Sequence, residues 1–341
     1  MSTLVLSDLH LGSRLRHDAL TYPKPLERLL AALDGVERLV LLGDIVELLE
    51  KGTDRALDDA EPILRLIGRT LGEGREVIFV PGNHDRPLLA GWIGRVGAGL
   101  APDSRVPLDA TPELAHVASW LAPARVRVHY PGVWLAPGVW ATHGHYLDRH
   151  LLPEAAFGVT RGLLGRVPQP GAVPVDYELA GGPSLTRLEA SAIKALPRPL
   201  AALAENLAEL IRASTMPRAP RRLLRPGMAR FTARVLGAQM RLASLPALSH
   251  VVGRLCVDAD WVLFGHVHRL GPLPGDLETR WRGPQGRPRL LNTGSWVYEP
   301  LLVHNSTPPH PYWPGGAVIL EDHRAPRAVG LLDDVPAGAM H

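Results

Sequence analysis

An α/β fold is the expectation for this chain, and three observations predict it. Short apolar runs recur at Thr3–Ser7, Arg38–Leu42 and Glu76–Val80, stretches with helical spacing separate them, and each run ends in a cluster of Asp, Asn or His. A repeated order of strand, polar loop, helix and strand gathers polar groups at the C-terminal ends of strands, where layered α/β folds keep their sites.

Thr3–Ser7 is a short strand that runs into Asp8-Leu9-His10-Leu11-Gly12. Leu26, Leu29, Leu30 and Leu33 recur at helical spacing and predict a helix over Pro25–Leu33. Arg38–Leu42 suits a strand buried on both faces, and it ends at Gly43-Asp44-Ile45-Val46-Glu47. A helix over Ala56–Gly72 leads to the strand Glu76–Val80, which breaks at Pro81-Gly82 and delivers Asn83-His84-Asp85. Gly91–Pro123 carries too weak a pattern to assign. Val126–Tyr130 and Gly138–Thr142 read as strands, and the second ends at His143-Gly144-His145-Tyr146-Leu147-Asp148.

Leu151–Val251 changes character: it is rich in Ala, Leu and Arg and is broken by Pro197, Pro199, Pro217, Pro220, Pro226 and Pro246. It reads as a helical insertion, because the strand pattern resumes at Trp261–Phe264 and delivers Gly265-His266-Val267-His268. Arg289–Leu291, followed by Asn292-Thr293-Gly294-Ser295, and Ala317–Leu320 are the remaining strands. The expected division is a core of residues 1–150 plus 251–335, with 151–250 as a helical insertion or cap.

The 341 residues are 46% hydrophobic, enough for a sizeable buried core. The one cysteine, Cys256, excludes an intrachain disulfide. Flanked by Leu255 and Val257, it reads as a small buried hydrophobe, and its isolation suits a reducing compartment. The N-terminus lacks the basic region of a signal peptide, and no run reaches the ~20 apolar residues that span a bilayer. The expected location is cytoplasmic, with contact at a membrane surface. The net charge of +3 is uneven: between Leu185 and Leu255 twelve Lys/Arg face Glu189, Glu205 and Glu209. Arg212, Arg218, Arg221, Arg222, Arg225, Arg230, Arg234 and Arg241, set among Ala and Leu, suit a cap over an apolar groove, an anionic membrane surface, or a solvated helical subdomain. Nucleic acid is the weaker partner, since Phe231 is the only aromatic of that basic stretch.

Asp8-x-His10, Gly43-Asp44, Gly82-Asn83-His84-Asp85, His143-Gly144-His145 and Gly265-His266-x-His268 each follow an apolar run. Alone, each has an ordinary reading, such as an Asx turn at Asn83 or a structural histidine pair. Five in this order are hard to explain by chance. The donor set of carboxylate, imidazole and amide oxygen, without thiolate, suits Mn²⁺ first, with Fe, Zn²⁺ or Mg²⁺ as alternatives. Two ions ~3.5–4 Å apart need a shared ligand, and the strand-end carboxylate of Asp44 is a natural bridge.

These five motifs resemble the calcineurin-like metallophosphoesterase superfamily. The resemblance implies a four-layer α-β-β-α sandwich of two mixed sheets and a dinuclear-metal-dependent phosphoesterase that hydrolyses a phosphodiester or pyrophosphate with hydroxide as nucleophile. It implies that Asp8, His10 and His268 hold one metal, that Asn83, His143 and His266 hold the other, and that Asp44 bridges them. His84 would contact the phosphate or protonate the leaving oxygen, with Asp85 orienting it; taken by itself, Asp85 also reads as a plain turn-capping carboxylate. His145 would be a substrate contact or a support. Glu47 reads as a carboxylate in the first turn of a helix, favoured by the dipole, and Asn292–Ser295 as a supporting loop. Ser7–Gly12, Val128-His129-Tyr130-Pro131 and the insertion look similar to the UDP-2,3-diacylglucosamine pyrophosphohydrolase branch, although that branch carries Arg where this chain has His84. The substrate implied is a phosphorylated small molecule or a lipid-linked phosphate. A non-catalytic scaffold on the same fold is the contrasting expectation. It would be marked by missing ligands, whereas here every expected ligand type is present.

Overall fold

The computed structural model describes residues 2–13, 18–49, 53–150, 168–179 and 240–340. Most of the expected insertion, with the helices and most of the arginines assigned to it, lies outside the described residues.

Eleven strands are described: β1 (Ser2–Leu6), β2 (Arg38–Leu41), β3 (Glu76–Phe79), β4 (Ser104–Val106), β5 (Arg125–Tyr130), β6 (Gly132–Ala136), β7 (Val139–Thr142), β8 (Trp261–Phe264), β9 (Arg289–Asn292), β10 (Gly316–Glu321) and β11 (Arg327–Gly330). They form two mixed sheets, one in the order β11-β10-β1-β2-β3-β5-β4 and one in the order β6-β7-β8-β9. β1, β2, β3 and β5 run parallel, as do β7, β8 and β9, while β4, β6, β10 and β11 pair antiparallel at the sides.

The period of two in the central strands builds the layers. Leu4, Leu6, Leu39, Leu41, Val77 and Phe79 face one core, shared with helices α1 (Pro23–Ala32), α2 (Thr53–Leu71), α3 (Ala90–Val96) and α4 (Pro112–Trp120). The alternate residues Val5, Val40, Leu42, Ile78 and Val80 face a second core with Val133, Val139, Ala141, Leu263 and Leu291 of the other sheet. The outer face of that sheet, with Trp140, Val262 and Leu290, packs with Leu248, Val251 and Val252 of the helix Leu245–Arg254. Helices, sheet, sheet and helix make the mixed α/β sandwich. Strands buried on both faces explain why β2 and β3 read as continuous apolar runs.

Several elements differ from expectation. The unassigned stretch holds α3, β4 and α4. The side chain of Thr111 caps α4 by accepting from the Leu114 amide at 3.2 Å, and a proline follows at its first turn. β6 lies between Pro131 and Pro137, and its position at the side of the sheet tolerates those prolines. β11 follows the strand expected to be last. The helix Leu245–Arg254 runs across the boundary expected at residue 250, since its apolar face belongs to the core. Cys256 is exposed rather than buried: with φ at +53° it turns outward just past that helix, while Leu255 stays inside. Among the described residues no helix is long and apolar enough to cross a membrane.

Phe79 is 1% exposed in the core beneath α1 to α4. Phe79→Ala should cost about 3–5 kcal/mol of unfolding free energy, seen as a lower denaturant midpoint with the m-value unchanged.

Candidate metal centre

Parallel register puts the ends of β1, β2 and β3 side by side, with Leu4 opposite Leu39 and Leu39 opposite Val77. The ladder continues past the strands: Asp8, His10 and Leu11 donate their amides to the carbonyls of Gly43, Asp44 and Ile45, each at 2.9 Å. These bonds hold unusual backbone. Asp8, His10, Asp44, His266 and His268 all have φ between +45° and +68°. Non-glycine residues held in that region cost on the order of 1–3 kcal/mol each, and such strain concentrates at functional sites. At Gly82 a Cβ would meet the backbone nitrogen of Asp44 at 2.6 Å and the His143 ring at 2.8 Å, so only glycine lets Asn83 approach.

The expected ligands converge in two groups. In the first, His268 Nε2 lies 3.2 Å from Asp8 Oδ1 and 3.3 Å from His10 Nε2. In the second, His143 Nε2 lies 3.1 Å from Asp44 Oδ2 and 3.1 Å from Asn83 Oδ1. The ring of His266 sits with its centroid 5.3 Å from that of His143, and potential donor atoms of Asp44, His143 and His266 cluster together. Asp44 also reaches toward the first group, with Oδ2 3.8 Å from His10 Nε2 and 3.9 Å from His84 Nε2.

Two carboxylates set the tautomers. His10 Nδ1 donates to Glu47 Oε2 at 2.8 Å, and His84 Nδ1 donates to Glu47 Oε1 at 2.8 Å. Glu47 is therefore not a helix first-turn residue. The chain at Glu47 is a loop, α2 begins only at Thr53, and the buried carboxylate serves both histidines. Nor does Asp85 orient His84. It accepts the backbone amides of Ile45, Val46 and Gly82 at 2.8–3.1 Å, and so fastens the loop after β2 to the loop after β3. His266 Nε2 contacts Asp148 Oδ1 at 2.9 Å, which leaves Nδ1 as the nitrogen free to face Asp44 and His143. His143 Nδ1 donates to the Leu42 carbonyl at 3.0 Å, so its Nε2 is the one turned to Asp44 and Asn83.

The loop after β9 braces the centre from behind. Asn292 Nδ2 donates to the Gly265 carbonyl at 2.7 Å, Asn292 Oδ1 accepts the Gly294 amide at 2.9 Å, and Thr293 shares a hydrogen bond with Ser7, whose hydroxyl donates to Asp8.

The charge pattern fits cations. Burial would raise Asp44, yet His143, His10 and His84 hold it well below the ordinary carboxylate range. Burial likewise opposes ionisation of Glu47, and the bonds from His10 and His84 bring it down to about 2. Burial would depress His143, but Asp44 reverses this and lifts it to about 10; His10 rises to about 9 against burial, through Glu47, Asp44 and Asp8. Counting only the protein's own charges, the buried carboxylates draw protons onto their histidines, which is the demand that divalent ions on the same donor atoms satisfy. Asp8, Asp44 and Asn83 with four imidazoles are hard and borderline donors suited to divalent metal, so the residues fit the expected group.

His145, expected at the substrate, turns its Nε2 toward Tyr130 Oη at 3.3 Å, and its Nδ1 is buried without a hydrogen bond among the described residues. Behind it stands Glu178, on the short helix Pro174–Leu179, with its side chain 4% exposed. Its carboxylate accepts from Tyr130 Oη, from Tyr146 Oη at 2.8 Å and from Arg86 Nε at 2.7 Å, and lies 3.9 Å from His145 Nε2. No sequence motif marks Glu178. A buried acid so bonded becomes visible only in three dimensions.

Residues 1–162 match the family model described as calcineurin-like phosphoesterase, which supports that superfamily and a metal-dependent phosphoesterase in general terms. The UDP-2,3-diacylglucosamine branch receives no such support. No curated protein matches the chain. Among solved structures, a point mutant of a cold-active protein tyrosine phosphatase aligns over 96% of this chain and 80% of that chain, at 12% identity and a TM-score of 0.30, a likeness too slight to carry function.

Burial opposes the ionised form of Glu178, but the nearby His145 imidazole and the bonds from Tyr130 and Arg86 carry its pKa far below the ordinary value of 4.5. A depressed folded pKa contributes stability above the unfolded value and loses it as pH falls toward the folded one. Denaturant melts of wild type and Glu178→Gln should therefore differ fully at neutral pH, and the gap should narrow as pH drops below 4.5.

Proposed function

We propose that the protein is a dinuclear-metal-dependent phosphoesterase that hydrolyses a phosphodiester or pyrophosphate bond. The observation that carries this reading is the convergence of Asp8, His10 and His268 beside Asp44, Asn83, His143 and His266, with the Asp44 carboxylate reaching both groups. Asp8, His10 and His268 would hold one metal, Asn83, His143 and His266 the other, and Asp44 would bridge them. When bound, such ions polarise phosphoryl oxygens and lower the pKa of water toward neutrality. Mn²⁺ suits the mixed donors best.

The chain's own groups do the rest. Glu47 fixes His10 and His84 through Nδ1, so both rings present Nε2 to the centre. His84, side chain 26% exposed, is the group placed to give a proton from Nε2 to the leaving oxygen. Asp85 keeps the loops of Asp44 and Asn83 in register by accepting their amides, a positioning role. His145 forms the wall beside His143, with ring centroids 5.6 Å apart.

The lipid pyrophosphohydrolase reading rests on the N-terminal motif and the basic insertion, and His84 in place of arginine counts against it. The lone cysteine and the arginine-rich stretch support a cytoplasmic enzyme that meets anionic surfaces.

Purified protein should carry two equivalents of Mn, Fe or Zn and turn over bis(p-nitrophenyl) phosphate, with chelation abolishing turnover and Mn²⁺ restoring it. A metal-free, inactive protein with a tight protein partner would favour the scaffold. Asp44→Asn and Asn83→Ala should abolish hydrolysis without unfolding the chain, and retained turnover in either variant sinks the ligand assignment. Glu47→Gln should lower kcat by about 10²-fold or more, the scale of general acid–base contributions. An unchanged pH–rate profile in that variant would remove Glu47 from the proton path.

A further inference from the structure

Arg86 stands two residues beyond His84, at the start of a short turn of helix. Its Nε is committed to Glu178 at 2.7 Å, its side chain is 43% exposed, and its two terminal nitrogens carry no hydrogen bond among the described residues. An arginine left to itself on a surface samples many rotamers. Here one edge of the guanidinium is pinned by a buried carboxylate, while the other edge, the one that matches a phosphate fork, stays open.

The clamp is joined to the metal centre through a single ring. Glu178 lies 3.9 Å from His145, whose ring centroid is 5.6 Å from His143 and 6.5 Å from His266. Tyr130 and Tyr146 complete the coordination of Glu178 and are neutral donors, held so by burial first and by the adjacent carboxylate. The carboxylate thus has one cationic partner, and it fixes the geometry of that partner.

We propose that Arg86, posed by Glu178, forms an anion subsite beside the metal centre that takes a second phosphoryl group adjacent to the scissile one. This deepens the phosphoesterase reading and rests on it: the subsite selects pyrophosphates and other esters of two linked phosphates over simple monoesters and diesters. Arg86 is the binding residue and Glu178 is a positioning residue. The helix Pro174–Leu179 thereby becomes part of the substrate wall, because the carboxylate that aims the arginine comes from it.

Calorimetry on the Mn²⁺-loaded, full-length protein tests this with two non-hydrolysable probes, methylenediphosphonate and methylphosphonate. Wild type should prefer the bisphosphonate, and Arg86→Ala should reduce that preference by roughly tenfold, the scale of a lost charge-assisted bidentate contact. Arg86→Lys should restore part of it. Glu178→Gln should reduce it to an intermediate value. Arg86→Ala removes the one cationic partner of a buried carboxylate and should lower the melting temperature, so affinities are compared well below each variant's transition. The double variant Arg86→Ala/Glu178→Gln, which leaves no unpaired charge, should show the same tenfold loss if either single variant fails to fold. A wild type without preference, or an Arg86→Ala ratio within about twofold of wild type, overturns the subsite. A wild-type preference that Arg86→Ala loses, in a protein that hydrolyses no phosphoester, would overturn the phosphoesterase reading and leave Arg86 as an anion-binding residue.

Discussion

One buried carboxylate organises the centre. Asp44 stands in the loop after β2 with a left-handed backbone, and Oδ1 accepts the His84 amide at 2.8 Å. Oδ2 lies 3.1 Å from His143 and under 4 Å from His10 and His84. An ionised group this deep is stable only if positive charge surrounds it. The arrangement around it, with imidazoles from three loops, glycine where Asn83 must approach and strained backbone at five ligands, follows from holding that charge at the point where two sheets meet.

Around this constraint lies a second tier of acids with a common task. Glu47 sets His10 and His84, Asp148 sets His266, Asp85 ties two loops through their amides, and Glu178 collects Tyr130, Tyr146 and Arg86. Glu47 and Asp148 fix which nitrogen of a histidine faces the centre, Asp85 fixes backbone, and Glu178 pins Arg86 through Nε. Partners of this kind orient ligands and raise their basicity. The rigidity they confer is what lets short loops serve as a precise site.

The two-sheet scaffold explains where these groups stand. The alternation of Leu4, Val5 and Leu6, repeated in β2 and β3, gives each central strand one face toward helices and one toward the second sheet. Strands buried this way cannot slip register without exposing a full row of apolar side chains. The loops at their ends inherit that fixity.

The motif residues were legible because each directly follows an apolar run, so the period of a buried strand and a change to polar residues mark its position along the chain. Asp8, His10, Asp44, Asn83, His143, His266 and His268, scattered over five motifs, stand together in space. Glu47 differs from its expected helix-start role because a carboxylate six residues past the end of a strand has no local signal for its direction. Asp85, Asp148 and Glu178 were misread or missed for the same reason, and β6 and β11 escaped notice because the sides of a sheet need no long apolar run. The sequence alone determined the donor chemistry, since hard ligands at strand ends specify it wherever they meet. Tertiary structure alone decided which carboxylate orients which histidine and which acid holds Arg86, because these depend on contacts between residues 37 to 118 positions apart.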